Sequence, residues 1–168
     1  MLLIILAVAF SAAQHPAMPE GMTHQAHQAQ MDKDRELNKR GAAAMGFDQE
    51  TTTHHFRLAP NGGSIEVAAN DGADRAGRDQ IRAHLREIAV EFADGNFAKP
   101  FATHGETPTG VAIMQARKQR MTFTYEDTAD GGVVRISTAD ARTRRAIHDF
   151  LRYQIREHAT GDPLTVGK

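Results

Sequence analysis

Histidine and methionine are concentrated in the polar segment QHPAMPEGMTHQAHQAQM, residues 14–31. Imidazole nitrogens bind copper, zinc, nickel and iron, whereas thioether sulfurs favour Cu(I). A segment that supplies both kinds of ligand predicts a metal-binding arm, with copper as the first candidate and other divalent transition metals as the alternative. The ligands predicted in this arm are His15, Met18, Met22, His24, His27 and Met31.

The first residues of the chain predict that this arm is exported. Met1–Phe10 is an uninterrupted apolar run followed by three small residues, which is typical of a signal peptide cleaved before Gln14. The run is too short to span a bilayer as a helix. No basic residue precedes it, so a start further upstream is the alternative. We expect residues 1–13 to be removed and the mature protein to be periplasmic or secreted, with no membrane association.

The composition predicts one modest folded domain and excludes several kinds of site. The 168 residues include 20 Lys and Arg against 21 Asp and Glu, so no global charge attracts nucleic acid and none is expected as a partner. The chain has no cysteine, which excludes disulfides, thiolate zinc sites, iron–sulfur clusters and covalent haem attachment through cysteine. The expected partners are a metal ion and, as a further candidate, another exported protein.

Two stretches of alternating apolar residues predict β-hairpins. In the first stretch, residues 54–58 alternate, residues 60–63 (PNGG) turn the chain, and residues 64–68 alternate again. In the second stretch, residues 121–125 and 134–136 flank the turn DGG. Both patterns are typical of strands with one face buried and one face exposed.

Each predicted hairpin is followed by a helix with an apolar stripe. The first helix is predicted over residues 78–93, and the second from Ala139, with Thr138 as its N-cap. The repeated order predicts an α+β fold in which duplicated ββα units form a four-stranded antiparallel sheet with two helices packed on one face. The apolar stripes consist of Ile81, Leu85, Ile88 and Phe92 in the first helix and Ile147, Leu151 and Ile155 in the second.

The rest of the chain divides by composition. Residues 14–44 are predicted to be a flexible arm and linker, disordered up to residue 28 and with only helical tendency after it. The ββα-repeat domain is assigned to residues 45–162 and a tail to 163–168. Between the two copies, residues 96–120 are predicted to form a proline-rich surface loop and then a short helix from Val111.

Histidines in the domain are the remaining candidate ligands. His54 and His55 are neighbours in a predicted strand, so their side chains point to opposite faces and cannot both bind one ion unless the strand begins later. His54 is either a ligand or a histidine at the core edge. His104, in the loop sequence THG, is either a recruitable ligand or a plain exposed residue. His54 or His55 together with His104 and Met45 or Met114 would make a His/Met copper site. We interpret His84, His148 and His158 as structural residues.

The order of the motifs MGF, TTTHHF, IRAHLREIA, THG and IHDFLRYQIREHATGD resembles a group of small exported bacterial proteins without an assigned activity. The resemblance covers Met45 to Asp162, which is nearly the whole predicted domain. It implies the limits of the domain and an exported protein, but no substrate. The His/Met arm lies outside the resembling region, so its function must be argued from its chemistry.

These observations predict an exported metal-binding protein that handles copper through the His/Met arm and a histidine site in the domain. The sites in the domain are assigned to His54, His55 and His104. The chain lacks the common nucleophile, phosphate-binding and dinucleotide-binding motifs, so an enzyme is not the favoured interpretation. The alternatives are a non-enzymatic ligand- or protein-binding module with a polar tether, or a histidine-site enzyme of unknown substrate.

Overall fold

The computed structural model describes residues 22–167. These residues divide into two compact units between Lys33 and Asp34. Five helices carry most of the helical content: α1 (His24–Met45), α2 (Arg75–Ala93), α3 (Ala98–His104), α4 (Val111–Ala116) and α5 (Ala141–Glu157). Short 3-10 turns lie at Gln49–Thr51 and Lys118–Arg120. Within the described residues, no helix has the length and apolar character needed to cross a membrane.

The second unit is built on four strands, β1 (Thr52–Ala59), β2 (Gly62–Ala69), β3 (Thr122–Asp127) and β4 (Gly131–Ser137). They form one antiparallel sheet in the order β1-β2-β4-β3, which places the two hairpins side by side with β2 and β4 in the centre. This confirms the α+β class and the four-stranded antiparallel sheet expected from the alternating patterns.

One face of the sheet carries the hydrophobic core. The register pairs Phe56 with Ile65, Ile65 with Val134, and Val134 with Tyr125, so these residues share a face. Helices α2 and α5 pack there: α2 contacts β3 and β4 most closely, and α5 contacts β1 and β2. The two apolar stripes predicted from the sequence are buried against this face, with Ile81, Leu85, Ile147 and Leu151 fully inaccessible.

Aspartates cap the N-termini of the two helices that pack on the sheet, α2 and α5. Asp74 accepts a hydrogen bond from the Gly77 amide at the start of α2. Asp140 accepts from the Thr143 amide at the start of α5, so Thr138 is not the N-cap that the sequence predicts. The Thr138 hydroxyl instead donates to the Arg120 carbonyl and accepts from the Asp140 amide. These bonds join the end of β4 to the 3-10 turn that precedes β3.

The connection between the hairpins is more ordered than the predicted proline-rich loop. It contains α3 as well as the expected helix α4, whose Val111 and Met114 are buried. Pro100 is the third residue of α3, a position in the first turn where a backbone N–H has no intrahelical partner, so proline does not prevent the helix. Gly105, with φ of 75°, ends α3 in the left-handed conformation.

The segment before the domain also differs from the prediction. Residues expected to be disordered up to 28 and then a linker instead form α1, which begins at His24. The Thr23 hydroxyl accepts a hydrogen bond from the Ala26 amide, as an N-cap does. In the second unit, the α1 residues Leu37 and Gly41 are buried.

Candidate functional site

A cavity of about 60 Å³ lies in the second unit, between the core face of the sheet and helices α2, α3 and α5. Most of its wall is apolar, and the volume is well below the ~300–1,000 Å³ of pockets for drug-sized molecules. Four imidazoles line it from four different parts of the fold. His54 comes from β1, His84 from α2, His104 from the end of α3, and His158 from the residue after α5.

The imidazoles form a contiguous group. The ring centres of His54 and His158 are 5.5 Å apart, and those of His158 and His104 are 5.1 Å apart. Phe47 connects the fourth ring, since its centre lies 6.0 Å from that of His54 and 5.5 Å from that of His84. Hence His158 adjoins both His54 and His104, and Phe47 links His84 to His54.

Three of these rings have a buried nitrogen without a hydrogen-bond partner: His54 Nε2, His84 Nδ1 and His104 Nδ1. Buried polar atoms are nearly always paired with protein, water or an ion, so three unpaired nitrogens around one cavity require an explanation. His104 is the best defined of them. Its Nε2 donates to Gln154 Oε1 at 3.0 Å, which leaves a lone pair on Nδ1 of the neutral ring.

Burial keeps all four imidazoles neutral near pH 7. It lowers the pKa of His54 and of His84 to about 4, with the neighbouring His55 adding to the effect at His54 and Lys99 adding to it at His84. The pKa of His158 is lowered to about 3 by burial and by His54 and His104. Burial also lowers the pKa of His104, although the hydrogen bond that His104 donates to Gln154 acts in the opposite direction.

The fold places some of the predicted domain ligands at the cavity and others away from it. His54 and His104 line the cavity, and Met45 at the end of α1 lines it as well. Met114 is fully buried in the core and is not among the residues that line the cavity. His148, interpreted as structural, bonds through Nε2 to the Ala59 carbonyl at 2.9 Å.

His55 lies on the opposite face of the sheet from His54, as the strand geometry requires. Its Nδ1 is 2.9 Å from Asp162 Oδ1. The other carboxylate oxygen, Oδ2, accepts from the Phe56 amide at 2.9 Å and from the Thr160 hydroxyl at 2.8 Å. His55 is therefore oriented by a fixed carboxylate, away from the cavity.

Four of the six arm residues lie in the described part of the chain. His15 and Met18 are outside it, and Met22 precedes α1. His24, His27 and Met31 lie at spacings of three and four residues on α1, so they share one face of the helix.

In residues 22–167, no group of three or more histidine or carboxylate side chains is placed so that it could hold a metal ion. The cavity imidazoles are therefore near one another but are not arranged as a finished tetrahedral site. Side-chain rotation is required for them to bind one ion together. His84 and His158 belong to this group, although their sequence contexts predicted structural roles. Their positions near the apolar stripes of α2 and α5, on the same core side as His54, were the available signal.

A second, polar pocket of about 370 Å³ adjoins the cavity. The two share His54 and His158, so this pair of rings separates the apolar interior from a polar recess. The recess is lined by carboxylates, amides and hydroxyls of the second unit: Asp34, Asn38, Gln49, Thr52, Thr53, Glu157 and Thr160. The apolar cavity thus has a polar, oxygen-rich neighbour on its histidine side.

No protein-family model, curated protein or solved structure matches this chain. The function of the cavity must therefore be argued from its own residues. Its features are neutral imidazoles, unpaired ring nitrogens, a thioether and an apolar wall.

Proposed function

We propose that this is an exported metal-binding protein that handles copper, and that His54, His104, His158 and Met45 are the ligands in its folded domain. The observation that supports this most strongly is the position of these four side chains around one small cavity. They come from β1, α3, the end of α5 and the end of α1, so only the folded chain brings them together.

The spacing of the rings suits a shared ion. A metal–nitrogen distance of about 2.0–2.1 Å places the centres of two imidazoles on the same ion roughly 5 Å apart. The two adjacent pairs in the cavity have centres 5.5 and 5.1 Å apart. Rotation about the side-chain bonds, without movement of the backbone, is the change that the proposal requires.

The electrostatic state of the cavity also suits a metal. A metal ligand must be a neutral imidazole, and a protonated ring would repel the ion. The lowered pKa of each of the four histidines favours that state, and for His54, His84 and His158 it does so well below pH 7. The Gln154 oxygen orients His104, which is the role that outer-shell partners play at metal sites.

The arm would bind metal ions at additional sites outside the cavity. On α1, His24 and His27 are three residues apart, a spacing at which side chains of a helix can bind one ion together, and Met31 adds a soft donor on the same face. Export to the periplasm or to the exterior is proposed from residues 1–13, which lie outside the described residues. Another exported protein would then receive or supply the ion.

Copper titration of the full chain tests the proposal. The double variant His54→Phe/His104→Phe removes two cavity nitrogens and keeps aromatic volume. His55→Gln is the matched control, because His55 adjoins His54 in sequence but faces the other side of the sheet. We expect the double variant to lose its tightest copper site and the control to keep it. Equal affinity and stoichiometry in all three proteins would refute the cavity as a copper site.

The arm needs a separate test. The variant His24→Gln/His27→Gln/Met31→Leu removes the ligands on the described face of α1. We expect it to lose weaker copper equivalents while retaining the cavity site. Unchanged stoichiometry would remove this face of α1 from the ligand set.

A second candidate is a module that binds a small neutral molecule. The mainly apolar wall and the unpaired side-chain nitrogen of Gln154 favour it, since that amide could donate to a ligand oxygen. Metal analysis and mass spectrometry of the gently purified protein distinguish the two candidates. Bound copper supports the first candidate, and a released organic compound without metal supports the second.

We also propose that the two hairpin–helix units are duplicated. Each antiparallel hairpin is followed by a helix. Helix α2, which follows the hairpin β1–β2, packs mainly on β3 and β4, whereas α5, which follows β3–β4, packs on β1 and β2. Ile81 and Leu85 of α2 have the same spacing as Ile147 and Leu151 of α5. Superposition of residues 52–93 on residues 122–157 tests this, with matching strand order and matching core positions expected.

A further inference from the structure

The wall of the histidine cavity carries very little charge. None of its described lining residues has a carboxylate, and Lys99 is the charged residue among them. The Lys99 ammonium lies 2.9 Å from a carboxylate oxygen of Glu87 and 2.9 Å from one of Glu91. The ammonium lines the cavity whereas neither carboxylate does, so the charge in the wall is positive.

This charge distribution discriminates between ions. Transfer of an ion into an apolar cavity costs a desolvation free energy that rises with the square of its charge. Imidazole and thioether ligands are neutral, so a bound divalent ion keeps its full charge in the cavity. The Lys99 ammonium in the wall repels a divalent ion about twice as strongly as a monovalent ion at the same position.

The ligand types point to the same ion. Met45 is partly buried, packs against the core and lines the cavity with the imidazoles. Thioether sulfur is a soft donor that selects Cu(I) over harder divalent ions. Cu(I) is also bound well by neutral nitrogen and sulfur ligands, without a carboxylate.

We infer that the cavity is a Cu(I) site that discriminates against Cu(II) and Zn(II), with Met45 as the residue that determines this preference. The inference rests on the proposed function, because it specifies the ion that the proposed ligands take. Sulfur ligation at Met45 and the absence of an anionic ligand in the cavity wall are its two components.

Metal competition on the full chain tests the inference. Cu(I) affinity is measured anaerobically against bicinchoninate, and Zn(II) and Cu(II) affinities are measured against chromophoric chelators, at free-ion levels that leave weaker sites empty. The variant Met45→Leu keeps the apolar volume but removes the sulfur. We expect its Cu(I) affinity to fall about tenfold or more, equivalent to about 1.4 kcal/mol, while its Zn(II) affinity stays unchanged. Thr103→Glu, which places a carboxylate in the wall, should shift the preference toward Zn(II).

The outcomes separate this inference from the proposed function. If His54→Phe/His104→Phe alters the binding of no metal, the proposed function fails. If that double variant weakens Zn(II) or Cu(II) binding as much as Cu(I) binding, or if Met45→Leu weakens all three equally, the Cu(I) preference fails while the metal site remains. Circular dichroism and thermal unfolding of each variant establish that it folds before its affinities are compared.

Discussion

Acid should unfold the metal-free protein because its cavity buries neutral histidines. Each of these rings has a pKa below the ordinary value of about 6.5, so between that value and the native pKa the unfolded chain binds more protons than the folded one. The stabilisation from the neutral rings is therefore complete above pH 6.5 and is lost progressively as the pH falls toward 4.

The size of the effect follows for His84, which is only 7% exposed. With a native pKa of about 4, His84 remains mostly neutral near pH 5, whereas the same residue in the unfolded chain is almost fully protonated. The linkage relation converts this difference to about 2 kcal/mol of lost stability. His54 and His158 act in the same direction, and the loss at His84 alone is a substantial part of the ~5–15 kcal/mol stability of a typical domain.

Urea unfolding at a series of pH values, in the presence of a chelator, measures this loss. The variant His84→Phe removes one titrating ring, keeps an aromatic contact with Phe47 and eliminates a buried unpaired nitrogen. We expect it to lose about 2 kcal/mol less stability than the wild type between pH 7 and pH 5. His24→Phe, at an exposed position on α1, is the control and should follow the wild type. Parallel pH profiles for His84→Phe and the wild type would refute a buried neutral imidazole at position 84.

Three further changes test the framework around the site by thermal or chemical unfolding. Gly110→Ala should destabilise strongly, because Gly110 has a φ of 91° and a Cβ there would lie 2.2 Å from the Ala146 carbonyl oxygen; an unchanged midpoint would contradict this close approach. Leu85→Ala, at a fully buried position, should cost about 2–5 kcal/mol, and a loss below 1 kcal/mol would indicate that the cavity and core collapse around it. Asp140→Ala should lower the melting temperature more than Asp140→Asn, since only alanine removes the acceptor for the Thr143 amide. Equal effects would show that charge rather than capping matters.

The fold was predictable where local patterns determine structure. Alternation predicted both hairpins, and the apolar stripes predicted α2 and α5 to within a few residues at each end. The wrong predictions concern residue types that occur in more than one kind of local structure. Pro100 suggested a loop because proline breaks helix interiors, yet it occupies the first turn of α3. Thr138 and Asp140 are both good N-caps, and the backbone after β4 decides between them.

The candidate site was predictable only in part, because its residues converge through tertiary packing. Sequence chemistry identified His54, His104 and Met45 as candidates. It could not show that His84 and His158 join them, since that depends on how α2 and α5 rotate over the sheet. The hydrogen-bond partner of His55 could not be predicted either, because Asp162 lies 107 residues further along the chain.

Asp162 also has a consequence for how copies of this protein meet. β1 is an edge strand, and such strands offer unpaired backbone groups that can template aggregation. The Phe56 amide, on the side of β1 away from β2, is already bound to the Asp162 carboxylate. A strand from another molecule cannot pair there without displacing a carboxylate that also binds His55 and Thr160. The contact that orients one surface histidine therefore closes this edge of the sheet against intermolecular strand addition.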